Sequence, residues 1–196
     1  MRRQLVTGLL VTVVLTVLCG IAYPLAMTGL AQGIWGNRAS GSFVSENGRV
    51  VGSSLIGQAF TLKNGAPDPR YFQPRPSAAG TGYDAMSSGG SNDGPLSKDL
   101  LTNVADRVKA YREFNRLSPS TSVPVDAVTA SASGLDPDIS VANAMDQAAR
   151  VAAARNLPAA QVLALVHRHT DGRAYGVLGE KTVNVLDLNL ALDRTS

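Results

Sequence analysis

The residues most able to do chemistry are few, and each admits a narrow range of it. His167 and His169 stand two apart. That spacing on a helix points two imidazoles in different directions, so they read as surface or capping histidines at a helix carboxyl end rather than as a metal pair. The single thiol, Cys19, lies inside an apolar run, which excludes intrachain disulfides and Cys-based metal clusters. Gly179-Glu180-Lys181-Thr182 resembles the end of a phosphate loop, but the lysine does not follow a glycine and the upstream glycine is missing. The serine-rich turns hold no Gly-x-Ser-x-Gly elbow, and the carboxylates are scattered singly. No catalytic and no metal-ligating residue is therefore expected.

Two segments have the residue types for binding instead. In SGGSNDGP (88–95), Ser88, Gly89, Gly90, Ser91 and Asn92 expose backbone amides that could cradle an anion or lock against another protein. The same composition also serves a loop that needs positive backbone angles. Together with Arg75 these are the candidate partner contacts. Gln147, Arg150 and Arg155 share a helix on which a phosphate or an acidic partner could sit, with a solvated or salt-bridged helix face as the alternative.

These groups must be held by a domain that reads as mixed α+β. RVVGSSLIGQAF (49–60) predicts a strand with a bulge or close approach at Gly52 or Gly57. The proline- and glycine-rich residues 63–95 exclude a continuous helix or central strand, and Tyr71, Phe72 and Tyr83 are expected to pin this stretch to the surface. Leu96–Leu117 is an amphipathic helix, with Leu101, Val104, Val108 and Tyr111 facing inward and Lys98, Arg107, Lys109 and Arg112 toward solvent. A short strand is expected at Val123–Thr129. A helix then runs from a cap at Asp136 or Ser140 to about Asn156, its alanines permitting close packing, and Pro158 opens another through about Arg168. VNVLDLNLAL (183–192) changes phase at Val185-Leu186, which predicts a bulge or a strand-to-helix change.

Ahead of that domain, Leu5–Ala31 is 27 residues without a charge, long enough as a helix to cross a hydrocarbon core. The run is too long for a signal peptide and no small-x-small cleavage pair follows it promptly, so a retained single-pass helix is expected. Gly8, Thr12, Thr16 and Gly20 recur every four residues and form a ridge where a neighbouring helix could pack, and Pro24 should loosen the helix around Gly20. Arg2 and Arg3 precede the run and the next basic residue is Arg38, so the positive-inside rule puts residues 1–4 in the cytoplasm. The span would be 5–31, a connector 32–48, and the domain 49–196 extracytoplasmic. With 18 Lys and Arg against 15 Asp and Glu, and two of the arginines in the tail, no patch suited to nucleic acid is visible.

The blocks YPL (23–25), GSSLIGQAF (52–60), YFQPRPSA (71–78), SGGSN (88–92), VPVDAVTASASGLDPDIS (123–140), RVAAARNL (150–157) and VNVLDLNLALD (183–193) follow one another in this chain. In that order they resemble the KdpC family, the C subunit of the Kdp potassium-transporting P-type ATPase of the bacterial inner membrane. The resemblance implies a non-catalytic subunit required for assembly. Its partners would be a channel-like potassium-conducting subunit, an ATP-hydrolysing P-type subunit and a small single-helix subunit. Potassium is then the transported ion, and ATP reaches the complex through the P-type subunit. The family is also described as a catalytic chaperone that raises the ATP affinity of that subunit, which would bring Gln147 and Arg150 near a nucleotide. The outward placement of the domain conflicts with that role and favours one that caps the ion entrance.

Overall fold

The computed structural model describes residues 1–195 and divides into two compact units, Met1–Val51 and Gly52–Ser196. In the first unit, α1 (Arg2–Val17) passes through one wide π-helical turn, Leu18–Ala22, into α2 (Tyr23–Ala39). The wide turn lies just ahead of Pro24, which has no amide to donate and whose ring crowds the carbonyl four residues back. Tyr23 N–H reaches Leu18 O, five residues away, in place of the usual four. The loosening expected near Gly20 therefore takes the form of a π turn without a break. A second irregularity falls at Trp35, whose backbone (φ −130, ψ 46) leaves helical geometry. Helix continues to Ala39, so the first part of the expected connector is helical. A hairpin of β1 (Phe43–Glu46) and β2 (Arg49–Ser53) follows. No residue of α1, the π turn or α2 is buried.

The second unit has a three-stranded antiparallel sheet in the order β3-β5-β4, formed by β3 (Asp138–Ser140), β4 (Thr170–Asp171) and β5 (Thr182–Asn184). Ile139 lies opposite Val183, and Val183 opposite Thr170. Helices α5 (Val141–Arg155), α6 (Ala159–Arg168) and α7 (Val185–Asp193) pack with this sheet around Val151, Val162, Val166, Leu188 and Leu192. Ala144, Ala148 and Ala152 recur every four residues on the buried side of α5, where small side chains permit close packing. Ser140 caps α5 by accepting from Asn143 N at 3.1 Å, which settles the two candidate caps in its favour. Left-handed Asn156 ends the helix. At the carboxyl end the phase change is a strand-to-helix switch. Asn184 closes β5 and caps α7 by accepting from Asp187 N at 3.1 Å.

Helix α3 (Lys98–Asn115) forms as expected but is peripheral, and Leu101 is 61% exposed where an inward position was expected. Of its residues only Asn115 is buried. The strand expected at Val123–Thr129 is instead one helical turn, α4 (Val125–Val128). Asp126 in that turn takes hydrogen bonds from Ser140 N (2.8 Å), Ser140 Oγ (2.7 Å) and Asn143 Nδ2 (2.9 Å), and these tertiary bonds outweigh the β-propensity of the valines. The strand expected to reach Phe60 stops at Ser53, where Ile56 N–H returns to Ser53 O at 3.2 Å and turns the chain. Gly57 does mark a close approach. A Cβ there would lie 2.5 Å from Asp136 O, while its amide donates to Leu135 O at 2.9 Å.

Candidate functional site

Residues 60–95 have no regular helix or strand, yet part of this stretch is anchored by side chains of α5 and α7. Phe72 is fully buried in the core, and Asn189 of α7 brackets it: Phe72 N–H donates to Asn189 Oδ1 (2.9 Å) and Asn189 Nδ2 donates back to Phe72 O (3.0 Å). One residue on, Gln147 of α5 repeats the device, accepting from Gln73 N (2.7 Å) and donating to Gln73 O (3.0 Å). Two amide side chains thus replace the ladder that a neighbouring strand would supply. The segment is a strap held in register without being part of a sheet.

Arg150, one turn further along α5, completes the clamp and is 5% exposed. Its Nη1 donates to Pro69 O (2.6 Å) and Tyr71 O (3.0 Å), its Nη2 to Gln147 Oε1 (2.8 Å) and its Nε to Asn115 Oδ1 (2.9 Å). Its guanidinium carbon lies 4.4 Å from the centroid of the Phe114 ring. All four hydrogen-bond acceptors are neutral. Burial pulls the Arg150 pKa down to about 10, only partly offset by Tyr111 and Asp68, and it stays charged at neutral pH. Asn143 joins the network by accepting from Gln147 Nε2 (2.8 Å) and from the Tyr111 hydroxyl (2.9 Å), and burial drives that hydroxyl's pKa far upward.

The helix face on which a phosphate was considered is therefore turned inward at Gln147 and Arg150, and it is neither solvated nor salt-bridged there. Arg155 does make an ion pair, with Asp193 at 2.7 Å, and also donates to Arg70 O at 2.7 Å. Beside Arg150 opens a cleft of about 680 Å3 whose lining includes Arg70, Arg116, Asp68 and Glu113. It mixes both signs of charge, which suits it to binding a polar or charged group.

The other sequence candidates are placed apart from this network. Gly89 N–H donates to Ser133 O at 2.9 Å, and the Ser88 hydroxyl to the same carbonyl at 2.9 Å. A Cβ on Gly90 would come within 3.0 Å of Ala132 O, and Gly134, at φ +67, faces the loop with space for no side chain. Residues 88–90 thus lock onto the 131–134 turn of their own chain, while Ser91 and Asn92 remain exposed. Asn92 adopts φ 55, one of the positive angles this composition allows. Arg75 pairs with Asp136 at 2.8 Å, and its Nε is the one buried side-chain nitrogen or oxygen without a hydrogen-bond partner among the described residues. His167 and His169 fall in the last turn and at the C-cap of α6.

Asn115, Asn143, Gln73 and Asn189 were not singled out from the sequence. The signal was present: Asn143, Gln147 and Arg150 occupy helical spacing among the buried Ala144, Ala148 and Val151, and Asn189 stands four after Val185 and three before Leu192. Polar residues on an apolar face at that spacing mark buried hydrogen bonds.

In the first unit, Gly8, Thr12, Thr16 and Gly20 lie on a helix whose surface is open. A Cβ added to Gly8 or Gly20 would meet nothing within 4 Å, and Thr12 Oγ1 donates to Gly8 O at 2.9 Å, which leaves the ridge smooth. The helix, Arg2–Ala39, is long and apolar enough to cross a membrane. Among the described residues no group of three or more His, Cys, Asp and Glu is placed to hold a metal ion.

Comparison with known proteins places the chain in a family. Residues 5–194 match the family model described as KdpC, K+-transporting ATPase, c chain. A protein of Mycobacterium bovis named potassium-transporting ATPase KdpC subunit is 56% identical over 194 residues, 99% of this chain and 100% of that one. Proteins with the same name from Koribacter versatilis and Rhodospirillum rubrum are 50% and 51% identical, covering 100% and 98% of this chain and 96% of each relative. A match of this extent at this identity shows membership: the chain belongs to the KdpC family, the c chain of K+-transporting ATPases.

Proposed function

We propose that this chain is a non-catalytic subunit of a high-affinity, ATP-driven potassium import complex in the bacterial inner membrane. It fastens the channel-like, P-type and small single-helix subunits into one assembly, with its main domain outside and close to the ion entrance. The observation that carries this reading is the small-residue ridge Gly8-Thr12-Thr16-Gly20 on a 38-residue helix with no buried residue. In lipid, close backbone approach is what drives helix association, so an open smooth ridge is a place for a neighbouring helix. Arg2 and Arg3 ahead of the span support the outward placement of the domain. Replacing Gly20 with Leu fills the ridge, and the expected result is loss of this chain from the complex purified through another subunit. Unchanged co-purification would defeat the reading. Cleavage of the domain by protease added to spheroplasts tests the orientation.

A second reading is that the chain raises the ATP affinity of the hydrolysing subunit in a transient complex with nucleotide, and the cleft beside Arg150 is what favours it. Arg150 and Gln147 hold the strap, so their substitution confounds binding with folding. Arg116, which lines the cleft and is exposed, separates the two. ATP binding by the full chain that falls in Arg116→Ala without loss of stability would support this role, and no binding by the native chain would remove it.

A further inference from the structure

Between the strap and α3 runs a second, open cleft of about 500 Å3 with a mainly apolar lining. Pro67, Pro74 and Pro76 are among its lining residues. Proline has no amide to donate, so these positions hold an occupant through side-chain contact and not as a paired strand. Tyr83, Tyr111 and Phe114 contribute rings. The hydroxyls of the two tyrosines are spent on Arg75 O (2.6 Å) and Asn143 Oδ1 (2.9 Å), which leaves ring carbon to face the cleft.

Two cations also line this apolar surface, and one of them has no counterion. Arg107 makes a single hydrogen bond, Nη1 to Val128 O at 3.1 Å, and no carboxylate lies within 4.0 Å of it among the described residues. Arg75, at the same cleft, shows the contrast, since Asp136 neutralises it at 2.8 Å. A guanidinium left with free donors beside ring and proline carbon complements a carboxylate carried next to an apolar group.

From this geometry we propose that the cleft is a docking groove for a segment of a neighbouring chain of the transport complex, one that seats an aromatic or branched side chain between the prolines and the rings and places an adjacent Asp or Glu on Arg107. The proposal rests on the reading of this chain as a subunit, and it adds a contact in the second unit to the one made by the membrane helix.

The test uses the whole complex purified from membranes, with a photo-crosslinking amino acid at Ala110, an exposed position in the groove. The expected product is an adduct with one neighbouring chain, at a stretch where an acidic residue lies within a few positions of an aromatic or branched one. Arg107→Gln should lower the yield about tenfold, the value of one charge-assisted contact, and Arg107→Lys should retain part of it. With the crosslinker moved to Thr61, another lining residue, Ala110→Trp should block the adduct by filling the groove. No adduct in an intact complex, an adduct only with lipid or a small amphipathic anion, or a yield indifferent to Arg107→Gln would each overturn the groove while leaving the subunit reading in place. If the native chain does not co-purify with any partner, it is the subunit reading that fails.

Discussion

Two helices of this chain carry small residues at intervals of four, and they resolve in opposite ways. On α5 the stripe Ala144-Ala148-Ala152 is buried in the core that this helix shares with α6, α7 and the sheet. On the membrane helix the ridge Gly8-Thr12-Thr16-Gly20 faces nothing within the chain. Spacing alone says only that something packs closely. What tells the two apart is the rest of each helix. Helix α5 is buried along one face and exposed at Ala142, Met145, Ala149 and Ala153, and so belongs to a domain with its own core. The other is apolar on every side and long enough to cross a membrane, which is what a helix proposed to pack on a neighbour in lipid requires. The polar groups follow the same division. On α5 they are satisfied inside the unit, whereas the ends of the membrane helix keep their charges free of the span.

The sharpest way to break this contrast is to empty the clamp. Arg150→Ala removes a buried cation and strands Asn115 Oδ1 together with the carbonyl of Pro69. A loss of about 3–5 kcal/mol is expected, measured by chemical denaturation, with the strap becoming open to protease before the helices melt. Asn189→Ala, which orphans Phe72 N and O, should cost about 2–3 kcal/mol. If either variant is as stable as the native chain, the strap is not fixed by side-chain amides.

A matched pair then tests the helices directly. Ala148→Leu adds three carbons to a site that is 1% exposed and should cost about 1–3 kcal/mol through overpacking. Gly20→Leu adds a larger group to open space, so the free chain should lose no stability in micelles. Equal losses in the two variants would mean that the membrane ridge is already covered within this chain.

Much of the frame was legible in the sequence because it depends on local rules. A cap for α5 at Asp136 or Ser140, the extent of α6 and the single long apolar run follow from the capping residues, Pro158 and an absence of charge. The phase change at Val185 signalled that the chain alters its period, but not which alternative holds; that was decided by Asn184 capping the helix and by Val185 N–H donating to Pro137 O at 3.0 Å. The strap was unreadable in kind. Its composition marks a loop, and its order comes from Asn189, Gln147 and Arg150, which lie 74 or more positions away. The valines of 123–128 misled for the same reason, since Asp126 answers to Ser140 and Asn143 rather than to its neighbours in sequence.

The smallest expected effect concerns pH and two carboxylates of the second unit that pull in opposite directions. Asp68 is buried and accepts from Arg70 Nε (3.1 Å), Nη2 (2.7 Å) and backbone N (2.9 Å), and these bonds hold its pKa below the usual carboxylate value against the opposing effect of burial. A folded pKa below the unfolded one means that the stabilisation is complete above about pH 4 and is lost as pH falls through the depressed value. Since the Arg70 side chain is 58% exposed, solvent screening keeps the contribution of the pair below about 1 kcal/mol. Asp138 behaves inversely. Burial, first, and the neighbouring Asp136 raise its pKa, so its charge costs stability at neutral pH and protonation relieves that cost on acidification. Thermal unfolding followed from pH 7 down to pH 3 should therefore show a shallower acid loss in Asp68→Asn and a steeper one in Asp138→Asn. Parallel curves for both variants and the native chain would mean that neither carboxylate changes its proton affinity on folding.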